Sequence, residues 1–372
     1  MKKIIVSVIN DLSTDQRVHR HCETLVQSGF DVLLVGRKLP GSLPLSARNY
    51  STKRMRLLFR KGALFYAEYN FRLFFFLLFH RFDGLLSNDL DTLLSNFLVS
   101  KIKQKPLLYD SHEYFTEVPE IQSKPIVKKI WLTIEKIIFP KLNYVITVNE
   151  SIANVYRSKY GNKIAVVRNV PFKKNIPHVT RAELGLPADK KIIILQGAGI
   201  NKDRGAEELL EAIYFMHSSK EILLVIGGGD VIETLEDMVW RHSLSEKVFF
   251  KGKMPIEELV KYTSVADLGV SLDKDTNLNY RYSLPNKLFD YIQCGIPVFS
   301  SNLVELKNVI EKYKVGYIAS NHEPNYLAKR LTEIFEDEVT LAQYKANARK
   351  AAEELCWEKE KIKFEQIVAN AF

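Results

Sequence analysis

Short, unbroken apolar runs recur along this chain, each leading into a polar or glycine-rich loop and then a helical pattern. Residues 3–8 (KIIVSV) read as a buried parallel strand; the polar stretch Asn10 to Arg17 follows, a helical pattern runs through Val26 to Ser28-Gly29, and Phe30 to Val35 is a second strand. This β-loop-α-β opening predicts a doubly wound α/β fold, in which ligands bind at the carboxyl ends of parallel strands. Further strands are expected at Leu85-Leu86-Ser87, Pro106 to Tyr109, Tyr144 to Val148 and Ile164 to Arg168, with helices over 92–103 and 126–139. Residues 171–190 carry three prolines and no periodicity, which marks a linker. The pattern then restarts with strands at Lys191 to Gln196, Leu223 to Ile226, Val248 to Phe250 and Ala266 to Ser271. Two domains, 1–171 and 172–352, suit a chain of 372 residues.

A hydrophobic fraction of 46% and a charged fraction of 26% belong to a soluble globular protein. Cys22, Cys294 and Cys356 are widely spaced and form no CxxC pair, which argues against a disulfide framework or structural zinc and for a reducing compartment. The first apolar run is too short for a secretion signal, and Leu73 to Phe79 is too short to span a bilayer, so a cytoplasmic protein is expected. The net charge of +9 favours anionic partners without choosing among them.

Between Lys53 and Asp83 the character changes. Lys53, Arg54, Arg56, Arg60 and Lys61 crowd together ahead of LFYAEYNFRLFFFLLFHRF. Cations beside an aromatic-rich amphipathic helix are what a peripheral anchor on an anionic membrane surface needs, which makes residues 53–81 a candidate for that role. A core helix preceded by a solvated basic loop fits the same residues. No RNP, KH or helix-turn-helix pattern accompanies them, so nucleic acid is not expected as a partner.

Candidate site residues cluster where strands end. Arg17 stands near the start of the first helix, either facing the ligand crevice or simply on the surface. His112 follows a strand among Asp110, Glu113 and Glu117, where it can donate to a substrate oxygen or carry a proton. The loop after Gln196, GAGINKDRG, begins with Gly197 and breaks the dinucleotide fingerprint because Lys202 stands at the third glycine position. Lys202 and Arg204 suit a diphosphate better than a nicotinamide. In SLPNKLFDYIQCGIPVF, Ser283 can cap a helix, Pro285 fits its first turn and Gly295 stops it. The free N–H groups at the start of that helix can hold phosphate, and Asp290, one turn further in, can accept from sugar hydroxyls.

The run GAGINKDRG, IGGGD, VFFKGKMPIEEL, ADLGVSL and SLPNKLFDYIQCGIPV resembles the nucleotide-sugar-binding domain of family 4 glycosyltransferases of the GT-B fold. NDLSTDQRVHRHCETL, SNDLDT, YDSHEYFTEVPE and ITVNESIA are similar to a bacterial branch of that family associated with surface polysaccharides. The resemblance implies two Rossmann-like domains facing a central cleft, with residues 353–372 forming a helix that crosses back to the first domain. It also implies retaining, metal-independent transfer from a nucleotide-diphosphate sugar, with no cofactor, to a saccharide or lipid-linked acceptor. By the same resemblance Arg204 neutralises the leaving diphosphate with Lys202 and Lys287 as helpers, and Asp290 binds the donor ribose. Backbone at Lys253-Met254 meets the base, His112 touches the transferred sugar, and Arg17 takes a place near the donor. Tyr282 stands where the family carries the first acid of a pair, Asp290 replaces the second glutamate, and the amino-terminal double glycine is missing. A nucleotide-sugar epimerase of the same fold, or a non-catalytic membrane-associated scaffold, are the alternatives.

Overall fold

The apolar runs become the strands of two parallel sheets. The computed structural model describes every residue except Thr14 and Leu43; Thr14, in the polar stretch after the first strand, lies outside the described residues. The chain divides into two units: Met1–Asn169 with Asn277–Asn279 and Glu360–Phe372, and Val170–Thr276 with Tyr280–Lys359.

The first unit contains β1 (Lys3–Asp11), β2 (Asp31–Lys38), β3 (Ser51–Arg56), β4 (Gly84–Asn88), β5 (Leu107–Ser111), β6 (Tyr144–Thr147) and β7 (Ile164–Val166). They lie in the order β3-β2-β1-β4-β5-β6-β7, all parallel. β4 and β5 are buried at every residue, as strands covered on both faces must be. Helices α1 (Gln16–Gln27), α2 (Gly62–Phe79) and α3 (Leu90–Lys103) are among the connections. Asp15 caps α1 by accepting from the Val18 N–H. Residues 360–372 are built into this unit. Phe364 stacks on His21 at 4.2 Å, and a Cβ on Gly84 would come within 2.4 Å of Phe372.

The second unit contains β8 (Lys191–Gly197), β9 (Glu221–Gly227), β10 (Val248–Lys251), β11 (Leu268–Ser271), β12 (Val298–Ser301) and β13 (Gly316–Ala319). Their order is β10-β9-β8-β11-β12-β13, again parallel. Ile193, Leu195, Leu223, Val225, Leu268 and Val270 form the sheet side of its core. In both sheets the winding reverses beside the first strand, between β1 and β4 and between β8 and β11. Ligands of doubly wound sheets settle at that switch point.

Three elements differ from expectation. Residues 53–56 are not a solvated loop but part of β3, an edge strand paired with β2; charged side chains there guard an unpaired edge. α2 is apolar on both sides, not amphipathic: Phe65, Tyr69, Leu73 and Leu77 are buried, while Leu64, Phe71 and Phe79 are 60%, 66% and 77% exposed. Ser283 does not cap the helix of the SLPNKLFDYIQ stretch, which starts later, at Asn286–Gln293, with Pro285 in the cap position and no side-chain cap bond.

Gly205 shows how tightly the second unit is closed. Its φ of +73° lies in the left-handed region, and a Cβ would stand 2.2 Å from the Leu272 carbonyl oxygen. Gly205→Ala should therefore lower the unfolding free energy by about 2 kcal/mol or more. Gly252→Ala, whose Cβ would meet nothing within 4 Å, should stay within about 0.5 kcal/mol of wild type in the same urea titration.

Candidate active site

Two polar clusters occupy strand ends, one in each unit. In the second unit β8 delivers the chain to Gly197, and the loop folds onto the glycine turn after β9. Gly228 N–H donates to the Gly197 carbonyl at 3.2 Å, and Ile200 N–H to the Gly228 carbonyl at 2.8 Å. This closeness requires glycine, because a Cβ on Gly227 would lie 1.8 Å from the Gly197 oxygen.

The loop forms one wall of a pocket of about 290 Å³, completed by Arg204 and by Leu284–Lys287 at the start of the helix Asn286–Gln293. The Arg204 guanidinium lies over the Tyr280 ring at 4.9 Å. Asp273, fully buried just beyond β11, holds the wall together: its Oδ1 is 3.7 Å from Arg204 Nη1 and 3.6 Å from Lys287 Nζ. Both separations are ion pairs longer than hydrogen bonds. Burial pulls the Lys287 pKa down, and the Asp273 charge works against that pull. Two cations and the free N–H groups of a helix start thus converge on one pocket, an arrangement suited to a diphosphate.

Of the residues expected at this site, Gly197, Arg204 and Lys287 line the pocket, whereas Lys202, Met254 and Asp290 do not. Lys202 is exposed, with its backbone N–H donating to Asp230 at 2.9 Å. Met254 is half-buried. Asp290 is engaged by Lys174, whose Nζ is 2.6 Å from its Oδ1. That ion pair occupies Oδ1 of Asp290.

In the first unit the cluster gathers on Asp110, at the end of β5. Arg17, only 3% exposed, grips it through Nε at 2.9 Å and Nη2 at 2.7 Å and gives Nη1 to the Val167 carbonyl at 2.9 Å. Its guanidinium is thus committed to the interior of its own unit. His112 lies between two carboxylates, with Nδ1 3.2 Å from Asp89 and Nε2 3.1 Å from Asp110. Burial opposes charge on the ring, but Asp89 and Asp110 outweigh it and push the His112 pKa up to about 9. His112 is therefore an imidazolium at neutral pH, and it reaches a sugar oxygen only by exchanging a partner. Glu113 is pushed up to about 7, by burial first and by Asp89 second.

Asp89 holds this geometry at a conformational cost. Its φ of 58° and ψ of 167° belong to a region that favours glycine. Its side chain nevertheless accepts from the His112 backbone N–H at 2.8 Å as well as facing the ring.

Sequence reasoning does not reach Asp273 or the Lys174 partner of Asp290. The first had a usable signal, an acid directly after a buried strand; the second joins positions 116 residues apart and had none.

Residues 178–351 match the family described as "Glycosyl transferases group 1", and residues 15–170 match "Glycosyltransferase Family 4". The chain is 24% identical over 246 residues to a chitobiosyldiphosphodolichol beta-mannosyltransferase from Candida albicans, a match covering 60% of this chain and about half (52%) of that protein. Among solved structures it is similar to sucrose-phosphate synthase from Thermosynechococcus elongatus, with a TM-score of 0.81, 18% identity and coverage of 100% and 99% of the two chains. It is also similar to Anabaena HepE in complex with UDP and glucose, with a TM-score of 0.74, 16% identity and the same coverage. Among the described residues no helix is long and apolar enough to cross a membrane.

The two carboxylates around His112 make stability depend on pH. Its folded pKa of about 9 lies above the ordinary 6.5, so its contribution is full below pH 6.5 and is lost as pH rises through 9. Thermal unfolding across this window should show a decline of up to roughly 3 kcal/mol in wild type, and His112→Asn should flatten it.

Proposed function

We propose that this chain, which belongs to the family 4 glycosyltransferases of the GT-B fold, transfers a sugar from a nucleotide-diphosphate donor to a saccharide or lipid-linked acceptor, with retention at the anomeric carbon and without a metal ion. One observation carries the reading: Arg204 and Lys287, held by one buried acid, border the same pocket as a helix start. The diphosphate of a nucleotide sugar matches that pocket in charge. The UDP held by Anabaena HepE makes a uridine donor the first to try.

When the bond between the anomeric carbon and the diphosphate breaks, its electrons pass to the leaving phosphate. Arg204 and Lys287 stabilise that growing charge from fixed positions, which is the work a metal ion does in other transferases. The backbone at Gly197 admits the donor closely, Lys202 adds positive charge from outside the pocket, and the backbone at Met254 meets the base. Asp290 takes the ribose in exchange for Lys174. In the first unit His112 contacts the transferred sugar, while Arg17 acts through Asp110 as a positioning residue.

The acceptor side brings the enzyme to a membrane. Residues 53–81 carry exposed cations and phenylalanines, which suits contact with an anionic bilayer during surface-polysaccharide assembly. Three buried free cysteines fit a reducing, cytoplasmic compartment.

Arg204→Ala should keep its circular dichroism spectrum and lose about 100- to 1,000-fold in transfer rate. Transfer at the wild-type rate would overturn the donor site. With donor and no acceptor, wild type should yield no isomerised nucleotide sugar; an epimeric product would replace transfer with epimerisation.

A further inference from the structure

The first unit has a pocket of its own, which sugar transfer as described does not use. It encloses about 350 Å³ and is lined by Arg37, Lys38, Arg56 and Arg60 together with Phe59 and Phe65. It forms where β2 and β3 end and the chain turns into α2.

Four cations in one pocket repel one another, and the surroundings do little to relieve them. Among the described residues none of the four forms an ion pair with a carboxylate, whereas neighbouring Arg54 sits 2.9 Å from Asp11. Glu68, in the second turn of α2, is already occupied: it accepts from the backbone N–H groups of Leu58 and Phe59 and pairs with Arg72. Arg37 Nε is buried with no hydrogen-bond partner, and its guanidinium lies over the Phe65 ring at 4.8 Å.

The pocket opens beside an apolar stripe. Leu64, Phe71, Phe75 and Phe79 share one side of α2 and are exposed, and Leu58 and Phe59 are exposed just ahead of them. From Leu64 to Phe79 the stripe runs about 22 Å at 1.5 Å per residue. A row of aromatics leading away from a cationic pocket matches an amphiphile whose anion and hydrocarbon are adjacent.

Building on the reading that residues 53–81 meet an anionic membrane, we infer that this pocket receives the phosphate monoester or diphosphate headgroup of a membrane lipid, with the phenylalanines of α2 set into the hydrocarbon boundary. Guanidinium groups grip a terminal phosphate in pairs, using oxygens that a bulky diester covers. A diffuse basic patch responds to surface potential alone. A pocket distinguishes headgroups at equal potential.

The test is flotation of the full chain with phosphatidylcholine vesicles doped with phosphatidic acid or with phosphatidylglycerol, adjusted to the same zeta potential. Wild type should prefer phosphatidic acid by about tenfold. Arg56→Gln/Arg60→Gln, at exposed positions that leave the fold intact, and Arg37→Gln should lose the preference, while Arg204→Ala keeps it. Phe71→Ser/Phe79→Ser should weaken binding to both vesicles equally. Equal binding at matched potential, or a preference that survives in the arginine variants, overturns the headgroup pocket and leaves the membrane reading standing. No flotation with either vesicle overturns both. Thermal stabilisation by inorganic pyrophosphate that depends on Arg56 and Arg60, without lipid preference, reassigns the pocket to a soluble phosphate and overturns the lipid.

Discussion

One buried carboxylate organises the second unit's chemistry. Arg204 and Lys287 both stand within 4 Å of Asp273 Oδ1. Without that acid, two positive groups on a partly dry wall would repel each other and turn toward water. With it they stay in place, yet neither is drawn into a short hydrogen bond that would neutralise it fully. The glycines around the wall serve the same end. Gly205 lets the chain turn directly after Arg204 and pass beneath Leu272, and Gly227 lets two strand ends touch. The placing of both cations at the pocket thus rests on one acid buried behind them.

The first unit solves an opposite problem. There the carboxylates Asp89 and Asp110 enclose the His112 imidazole, the His21 ring also lies 3.3 Å from Asp110, and Arg17 clasps Asp110 from behind. The His112 ring is held charged and oriented, and a strained backbone at Asp89 is tolerated because both the backbone N–H and the ring of His112 depend on that residue's position. Such over-determination is typical of places where geometry matters more than stability.

The doubly wound topology was legible because buried parallel strands are unbroken apolar runs and stand out in any window. Gly197 and Arg204 stand out in the sequence as a glycine and a cation in the loop after a strand, whereas Lys287 lies on a helix and was pointed to by the family resemblance; all three line the pocket. β3 was obscured by its own charges, which suit an edge strand but read as a loop. α2 was misjudged because a helix apolar on both sides presents no periodicity to measure. Ser283 carries the right side chain for a cap, but the helix begins only after Pro285, whose fixed φ sets its start. Lys174 becomes visible as the partner of Asp290 only when segments 116 residues apart are folded together.

The placement of residues 360–372 in the first unit has a consequence for biosynthesis. Chains emerge from the ribosome amino end first, and domains generally fold as units in that order. Here the ring that stacks on His21 and the residue that covers Gly84 come from Phe364 and Phe372. The first unit must therefore wait, with part of its surface uncovered, while the whole of the second is translated. Its early form is an incomplete domain, with His21 and Gly84 left without the aromatic rings that cover them in the finished chain.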